Sequence, residues 1–469
     1  MSAPRERARL RAGDVTPEKI ARLDRAGPRY TSYPTAPEWS DAFGPDDFAD
    51  ALRRADAVDE PLALYVHVPF CRELCFFCGC TVVIDRKPES GVRYLESVRR
   101  ELAAMTPHLK RRRRLGQLHL GGGTPTQLAP ESLRALHLMV AGEFALEPDA
   151  EQSIEVDPRV TTFEHVAALR ELGFNRISLG VQDFDPEVQR AVNREQSEEA
   201  TRGLLLECRR RGFRSINVDL IYGLPRQTPE SFARTLASVV AMRPDRVAVF
   251  GYAHVPWMKP AQGKLERDGR LPSAAERCAL FASAIEAFTS AGYRHVGMDH
   301  FALPDDDLTR ALDAGTMTRS FMGYTTRPAE DLVALGQSSI SDLAGAYAQN
   351  ARTLPEYAAA AGAGRLATAR GYRLTDDDVL RRHVVMRVMS ATELDFADVE
   401  RRFGIDFAET FARELEALKA LESDGLVELE PRRLVVTPLG RVFVRNVAMT
   451  FDRFLREKAG GERRYSRTV

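Results

Sequence analysis

Four cysteines fall within ten residues: Cys71, Cys75, Cys78 and Cys80. The first three are spaced C-x3-C-x2-C. Thiolates are soft donors that suit iron–sulfur clusters, Zn(II) or Cu(I). Three of them on one tight loop can hold three irons of a [4Fe–4S] cube and leave the fourth iron open to a ligand that reacts. A structural zinc site uses two C-x2-C pairs separated by a dozen or more residues, and no second pair exists; Cys208 and Cys278 are isolated. Six cysteines in 469 residues do not make a disulfide framework. Cys80 exceeds the three-ligand count and is either a fourth ligand or a free thiol beside the cluster.

The chain must supply a scaffold for that loop. Its length sets a prior of two to three domains. With 44% hydrophobic and 28% charged residues it has the composition of a soluble globular protein. A formal net charge of -1 provides no global field for nucleic acid or membrane. No apolar run approaches the roughly 18 residues that span a bilayer. The first eleven residues carry four Arg and one Glu without an apolar core, which fits a solvated tail, or an organellar presequence, but not a secretory signal. Thiolates kept for a metal suit a reducing compartment, so a cytoplasmic location is expected. The run Lys110 to Arg114 reads as a solvated connection between a helix and a strand.

From residue 61 strand and helix patterns alternate. Strands are expected at 62–68, 117–120, 152–156, 176–181, 215–221 and 246–252. Helices are expected at 91–105, 130–141, 162–172, 198–211, 229–242 and 274–291. Six βα units imply a parallel sheet with helices outside, curled into a full or partial barrel. Active sites of such folds lie at the C-terminal strand ends. The distinctive residues sit there: the cysteine loop after strand one, Gly121 to Thr124 after strand two, Glu155 and Asp157 at strand three, Gln182 and Asp183 at strand four, Asp219 within strand five and Tyr222 just past it, and Tyr252 to His254 at strand six. The expected organisation is an N-terminal extension over the site (1–58), a barrel (59–365) and a mostly helical, winged-helix-like unit (366–469). In the last, helices at 376–389, 395–403 and 408–424 precede a hairpin at 425–437. The Ala-rich stretch 358–369 reads as a surface connection.

The cysteine loop resembles that of the radical S-adenosylmethionine (SAM) superfamily. More narrowly, the chain resembles the bacterial oxygen-independent coproporphyrinogen III oxidases at 27–35 (Gly-Pro-Arg-Tyr-Thr-Ser-Tyr-Pro-Thr), 65–80, 121–126, 154–159, 180–184, 192–196, 219–225, 297–302, 323–326 and 347–350. The resemblance implies a radical-SAM, partial TIM-like α/β barrel. It implies a [4Fe–4S] cluster on Cys71, Cys75 and Cys78, whose open iron binds SAM, and two SAM molecules per chain. One electron, from an external flavodoxin- or ferredoxin-like reductant, cleaves the sulfonium to a 5′-deoxyadenosyl radical. That radical takes a β-hydrogen from a substrate propionate. Loss of CO2 and one electron leaves a vinyl group, and two propionates are processed to give protoporphyrinogen IX. A monomer is expected.

Residue by residue, Phe77 between the ligands is expected to shield the cluster and pack on SAM, or else to serve ordinary loop packing. Gly122, Gly123 and Thr124 offer backbone N–H groups with no Cβ in the way. Glu155 holds a ribose or amino group of the first SAM, or else a strand-end salt bridge. Tyr65 joins that first site by resemblance. Gln182, Arg194, Asp219, Ala253 and Ile340 line the second; Arg194 alternatively forms a helix-surface ion pair. Tyr65, His67 and Cys80 are the catalytic candidates. His67 either orients or protonates a group near the cluster and substrate, or is a core histidine. Arg29 is a candidate partner for substrate propionates; His254 and His300 contact substrate or serve as core hydrogen-bonders. No role falls to Trp257, Met258 or Lys259.

Two other functions compete. A haem-binding chaperone of the same superfamily branch typically lacks the fourth cysteine and the Arg29-Tyr-Thr31 loop, both present here. A DNA-binding regulator would use the helix at 408–424, which carries four Glu and one Asp against one Arg and one Lys, the wrong sign for a phosphate backbone.

Overall fold

The computed structural model describes residues 10, 12–268, 270–326, 331–457 and 465–468. Nearly all of the Arg-rich N-terminal tail therefore lies outside the described residues. The chain forms two compact units that interleave in sequence: residues 36–220 with 327–375, and residues 1–35 with 221–326 and 376–469. Among the described residues no helix is long and apolar enough to cross a membrane.

The main sheet of the first unit has nine strands among the described residues, beside a two-stranded sheet of Phe70–Cys71 and Val83–Ile84. Five follow one another along the chain: β1 Leu62–Val68, β2 Arg114–Gly122, β3 Ala145–Val156, β4 Arg176–Gln182 and β5 Ser215–Tyr222. Each pairs in parallel with the next. Parallel strands with helical crossovers are buried on both faces, which favours apolar runs, and β1 is such a run with only Tyr65 partly exposed. On its other edge β1 pairs in parallel with β6 Leu332–Leu335. The sheet then continues as an antiparallel meander through β7 Ile340–Leu343, β8 Ala346–Asn350 and β9 Thr368–Arg373. The helix Pro88–Met105 buries Tyr94, Leu95, Val98, Leu102 and Met105, an apolar stripe at helical spacing.

Two sequence expectations change in this unit. The run Lys110 to Arg114 is not a solvated connection throughout. The Arg112 side chain is 2% exposed, ion-paired with Asp331, and donates from Nε to the Glu60 carbonyl at 2.7 Å. Arg114 already belongs to β2. A guanidinium can be buried when carboxylate and carbonyl acceptors replace its water. The stretch 358–369 is a surface connection only in its middle: 358–361 belong to the helix Leu354–Gly362, with Ala361 fully buried, 362–365 are exposed, and 368–369 enter β9. Alanine has the highest helix propensity, and the Thr353 hydroxyl caps the helix start by accepting from Glu356 N.

In the second unit, the strand Arg246–Gly251 pairs antiparallel with His300–Ala302, which pairs with Arg294–Val296. The helices Pro229–Met242 and Ala274–Ser290 pack on each other and bury Phe232, Leu236 and Phe281 among others. Its C-terminal part runs helix Asp376–Ser390, strand Glu393–Asp395, helix Phe396–Phe403, helices Phe407–Thr410 and Ala412–Ser423, and strands Val427–Glu430 and Arg433–Val436. That order, with the three strands in one small sheet, is winged-helix-like as expected. The single helix expected at 408–424 is broken at Phe411, whose fully buried ring packs on Phe407 and Phe451 at 4.7 and 5.5 Å between centroids.

Candidate active site

Strand register brings the polar residues of the first unit together. Tyr65 lies opposite His119, and His119 opposite Ser153. One step toward the C-terminal ends, His67 lies opposite Gly121, while Glu155, Ser178 and Asn217 form the neighbouring row. Beyond them Gly180 faces Asp219. Residues two apart on a strand share a face, so Tyr65, His67, His119, Ser153, Glu155, Ser178, Asn217 and Asp219 occupy one side of the sheet at one end. The cysteine loop leaves β1 at that end.

Hydrogen bonds set the state of this surface. The His67 Nε2 lies 3.0 Å from the Thr81 carbonyl, which can only accept. Nε2 therefore carries the proton, and Nδ1 accepts from the Tyr65 hydroxyl at 3.0 Å. Burial pulls the His67 pKa below its ordinary value, so the ring is neutral near pH 7. The Tyr65 phenol is pushed well up by burial and then by Glu155, and acts only as a donor. His119 Nδ1 meets Ser153 Oγ at 2.7 Å, and its Nε2 approaches Glu155 at 3.8 Å. Glu155, its side chain about half exposed, is held below the ordinary carboxylate value against the desolvation of its place at the sheet end by His119 and by the Gly122 N–H, 3.1 Å away. Glu155 is thus a carboxylate within this polar row.

The glycine turn after β2 differs from the sequence reading in one respect. Its three amides are already engaged: Gly122 N with Glu155 Oε2, Gly123 N with the Val68 carbonyl at 2.8 Å, and Thr124 N with the Phe70 carbonyl at 2.8 Å. The turn therefore contributes shape, not free N–H donors. Gly122 has φ +114°, and a Cβ there would come within 2.6 Å of the His67 ring. A Cβ on Gly123 would come within 2.6 Å of the Pro69 carbonyl oxygen. Glycine is needed because the turn is stitched to the loop entering Cys71.

Among the cysteines, Cys75 is buried, Cys71 and Cys78 partly so, and Cys80 exposed. Cys71 Sγ is 3.6 Å from Thr124 Oγ1. Cys75 Sγ receives two guanidinium groups, Arg194 Nη1 at 3.5 Å and Arg159 Nη2 at 3.6 Å. Both arginines also bind Asp157, at 3.0 and 2.7 Å, and Arg194 Nη2 donates to the Gly180 carbonyl at 2.6 Å. Burial would raise the Asp157 carboxyl, and the Arg194 and Arg159 charges overcome that and hold it low. Cys80 sits against Cys78. Three sulfurs from one loop, one of them met by two cations, fit an iron–sulfur cluster held as thiolates.

The remaining sequence candidates are placed as follows. Phe77 lies partly buried between Cys75 and Cys78. Gln182 ends β4 at a register shift, with a left-handed backbone (φ +69°). Arg194 is not on a helix surface; its ion pair is buried. Asp219 accepts from Ser178 Oγ at 2.9 Å and Asn217 Nδ2 at 2.7 Å. Ile340 begins β7. Ala253 belongs to the second unit, where its carbonyl accepts from Gln262 Nε2 at 3.2 Å. There too His254 bonds Tyr252 and Glu266, and His300 bonds Asp299. Sequence reasoning gave no role to His119, Ser153, Ser178 or Asn217, which the alternation of β2 to β5 does mark. Arg159 had no such signal: its contact with Cys75 joins residues 84 apart.

Residues 65–239 match the Radical SAM superfamily model, and residues 374–443 the HemN C-terminal domain. The oxygen-independent coproporphyrinogen III oxidase of Pseudomonas aeruginosa is 44% identical over 452 residues, covering 96% of this chain and 98% of that protein. The enzyme of that name from Escherichia coli K12 is 45% identical over 440 residues, covering 94% and 95%. The solved structure of coproporphyrinogen III oxidase (HemN) from E. coli, described as a radical SAM enzyme, superposes with a TM-score of 0.87 at 44% identity over 91% of this chain and 98% of that one. The likeness runs over nearly the whole of both chains, and the chain belongs to the family of oxygen-independent coproporphyrinogen III oxidases.

Proposed function

We propose that this enzyme converts two propionate side chains of coproporphyrinogen III to vinyl groups, giving protoporphyrinogen IX without oxygen. Each propionate loses one hydrogen atom, CO2 and one electron. The observation that carries this reading is the three-cysteine loop at the C-terminal end of β1, flanked by Glu155 and the glycine turn, in a chain alike over its whole length to enzymes of that name. When bound, the [4Fe–4S] cluster and SAM supply one-electron cleavage of a sulfonium and a carbon radical that abstracts hydrogen.

The chain's own residues do the rest. Cys71, Cys75 and Cys78 hold the cluster, and Arg159 and Arg194 balance its thiolate charge at Cys75. Glu155, anionic and part of the polar row, takes a cationic or hydroxyl group of SAM. Gly122, Gly123 and Thr124 leave room beside it, and Tyr65 and Phe77 wall the site. His67, neutral with its donor on Thr81, keeps Tyr65 oriented. Cys80, hydrogen-bonded to the ligand Cys78, serves as a hydrogen donor or a spare ligand. For a second SAM we keep Gln182, Arg194, Asp219 and Ile340 of the first unit. The Nε of Arg194 is buried with no partner among the described residues, so one donor is left for a ligand.

We read the protein as a cytoplasmic monomer served by a flavodoxin- or ferredoxin-like reductant, with an extension at 1–58, a barrel at 59–365 and a C-terminal unit from 366. The test is anaerobic incubation of reconstituted protein with SAM, dithionite and coproporphyrinogen III. Protoporphyrinogen and 5′-deoxyadenosine form together, and Cys78→Ser abolishes both. Deoxyadenosine without vinyl product would assign another substrate; haem retention without turnover would favour a chaperone.

A further inference from the structure

The second unit contains a small cavity whose walls include Arg29, Tyr222, Gly251, Met298, Asp299 and Arg445. Its free volume is about 30 Å³, room for roughly two waters, or for the carboxylate head of an extended chain but not a ring. Its charges do not balance. Arg29 donates from Nη2 to the Gly251 carbonyl at 3.0 Å and has no carboxylate within ion-pair distance among the described residues. Arg445, 3% exposed, gives its N–H groups to the carbonyls of Gly27, Pro28 and Arg467, again without a carboxylate. The acid in the wall, Asp299, is engaged by His300 Nδ1 at 2.7 Å. Asp24, nearby in the unit, is held by Arg277 at 2.9 Å and by Arg467. The Tyr222 hydroxyl, on a side chain 5% exposed and stacked on Phe281, makes no hydrogen bond to any described residue.

Buried guanidinium groups are ordinarily paired. Here the half-buried Arg29 and the buried Arg445 share one carboxylate, Asp299, which lies beyond ion-pair distance of both and is bonded to His300; two cations against one such acid, beside an unused hydroxyl, describe half of an anion site. Burial pulls both guanidinium pKa values down, Arg445 to about 9, with the Arg29 charge adding to that effect. An anion entering the cavity relieves both.

We propose that this cavity seats one carboxylate of the tetrapyrrole, a propionate of coproporphyrinogen III, with Arg29 and the Tyr222 hydroxyl as its donors and Arg445 as the fixed charge behind them. The proposal rests on the function argued above. The shared chemistry is an alkyl carboxylate, which SAM and free carboxylates also carry, so the arms of the test separate them.

The probe is coproporphyrin III, the stable oxidised form, titrated anaerobically into the cluster-loaded protein and its variants, against the tetramethyl ester and against SAM. Wild type binds the acid at least tenfold more tightly than the ester. Arg29→Met removes that preference, Arg29→Lys restores part of it, and Tyr222→Phe weakens acid binding by three- to tenfold. Iron content and SAM affinity of each variant report folding. If Arg29→Met weakens acid and ester equally, or weakens SAM binding instead, or if 10 mM propionate competes no better with the acid in wild type than in the variant, the assignment is wrong. Because these are equilibrium titrations, they remain readable if turnover of coproporphyrinogen III is absent, which would overturn the function and leave the carboxylate site standing.

Discussion

In one unit Arg159 and Arg194 converge on a single carboxylate, Asp157, and together present their charge to Cys75. In the other, Arg29 and Arg445 share a cavity wall whose one carboxylate, Asp299, lies beyond ion-pair distance of both and is bonded to His300. The same residue type is directly paired in the first place and only distantly compensated, two cations to one carboxylate, in the second. A buried charge costs several kcal/mol unless paired, so the fold supplies the partner where the charge serves the scaffold. Where the partner is missing, the simplest explanation is a ligand that brings it.

The sharpest way to break this comparison is to make the first region resemble the second. Asp157→Asn leaves two largely buried guanidinium groups without their carboxylate beside a sulfur. Removing one partner of a buried ion pair costs about 3–5 kcal/mol, and the side chains of Asp157 and Arg194 are each 8% exposed. Urea unfolding of the variant should show a stability loss of that order, with lower iron retention after reconstitution. A loss below about 1 kcal/mol would mean that the Asp157 network is not a compensated charge cluster, and the contrast with Arg29 would vanish.

A third region sharpens the comparison from the acid side. Glu101 is 3% exposed and, among the described residues, accepts only neutral donors: Gly336 N at 2.8 Å, Tyr357 OH at 2.6 Å and Asn350 Nδ2. Burial pushes its carboxyl up to about 7 from the ordinary 4.5. With no cation to pair it, the group takes a proton. A carboxyl whose folded pKa is raised binds its proton more tightly in the folded state. Its contribution is therefore complete below pH 4.5 and lost as pH rises through 7. A tenfold change in proton affinity is worth about 1.4 kcal/mol, so the full effect is on the order of 3 kcal/mol. The stability difference between wild type and Glu101→Gln should move by that amount against wild type between pH 4.5 and pH 8. A constant difference across that range would show Glu101 ionised throughout.

These networks also mark where sequence stops being legible. The strand β1 is readable to the residue, because seven consecutive apolar and aromatic positions flanked by proline and a cysteine loop admit little else. The end of the sheet that carries the site is readable from residue types at strand ends. The meander β6 to β9 is not: its strands are four to six residues long, and β6 and β8 are buried at every position, so they show no alternation. The engagement of the Gly122, Gly123 and Thr124 amides depends on carbonyls of the neighbouring loop, and no local pattern encodes it. Arg112, Arg159 and Arg194 look like surface charge in the sequence because their acceptors lie 219, 84 and 119 residues away. Local pattern reports local structure, including the Arg159–Asp157 pair two residues apart, whereas the sulfur and carboxylate partners that bury Arg112, Arg159 and Arg194 are distant in sequence.

The converse change, giving the second region what the first already has, has the smallest expected effect and is the most discriminating. Met298 lines the Arg29 cavity and is 8% exposed. Its backbone N–H donates to the Tyr324 hydroxyl at 3.1 Å, a bond that a side-chain substitution leaves in place. Met298→Glu puts a carboxylate of similar length into the cavity beside two unpaired guanidinium groups. At an ordinary site, a buried carboxylate in place of methionine destabilises the fold, because desolvation outweighs new contacts. Here the cost of leaving Arg29 and Arg445 without a directly paired carboxylate has already been incurred, so the new ion pair offsets its own desolvation and the net change is a gain of about 1 kcal/mol. Thermal unfolding measures that gain, and a titration of coproporphyrin III measures its counterpart, an affinity at least tenfold weaker because the site is internally filled. Stabilisation with weakened binding is a pairing that neither a packing defect nor a merely structural arginine produces. Destabilisation by several kcal/mol would place the compensating charge elsewhere and return Arg29 to the scaffold.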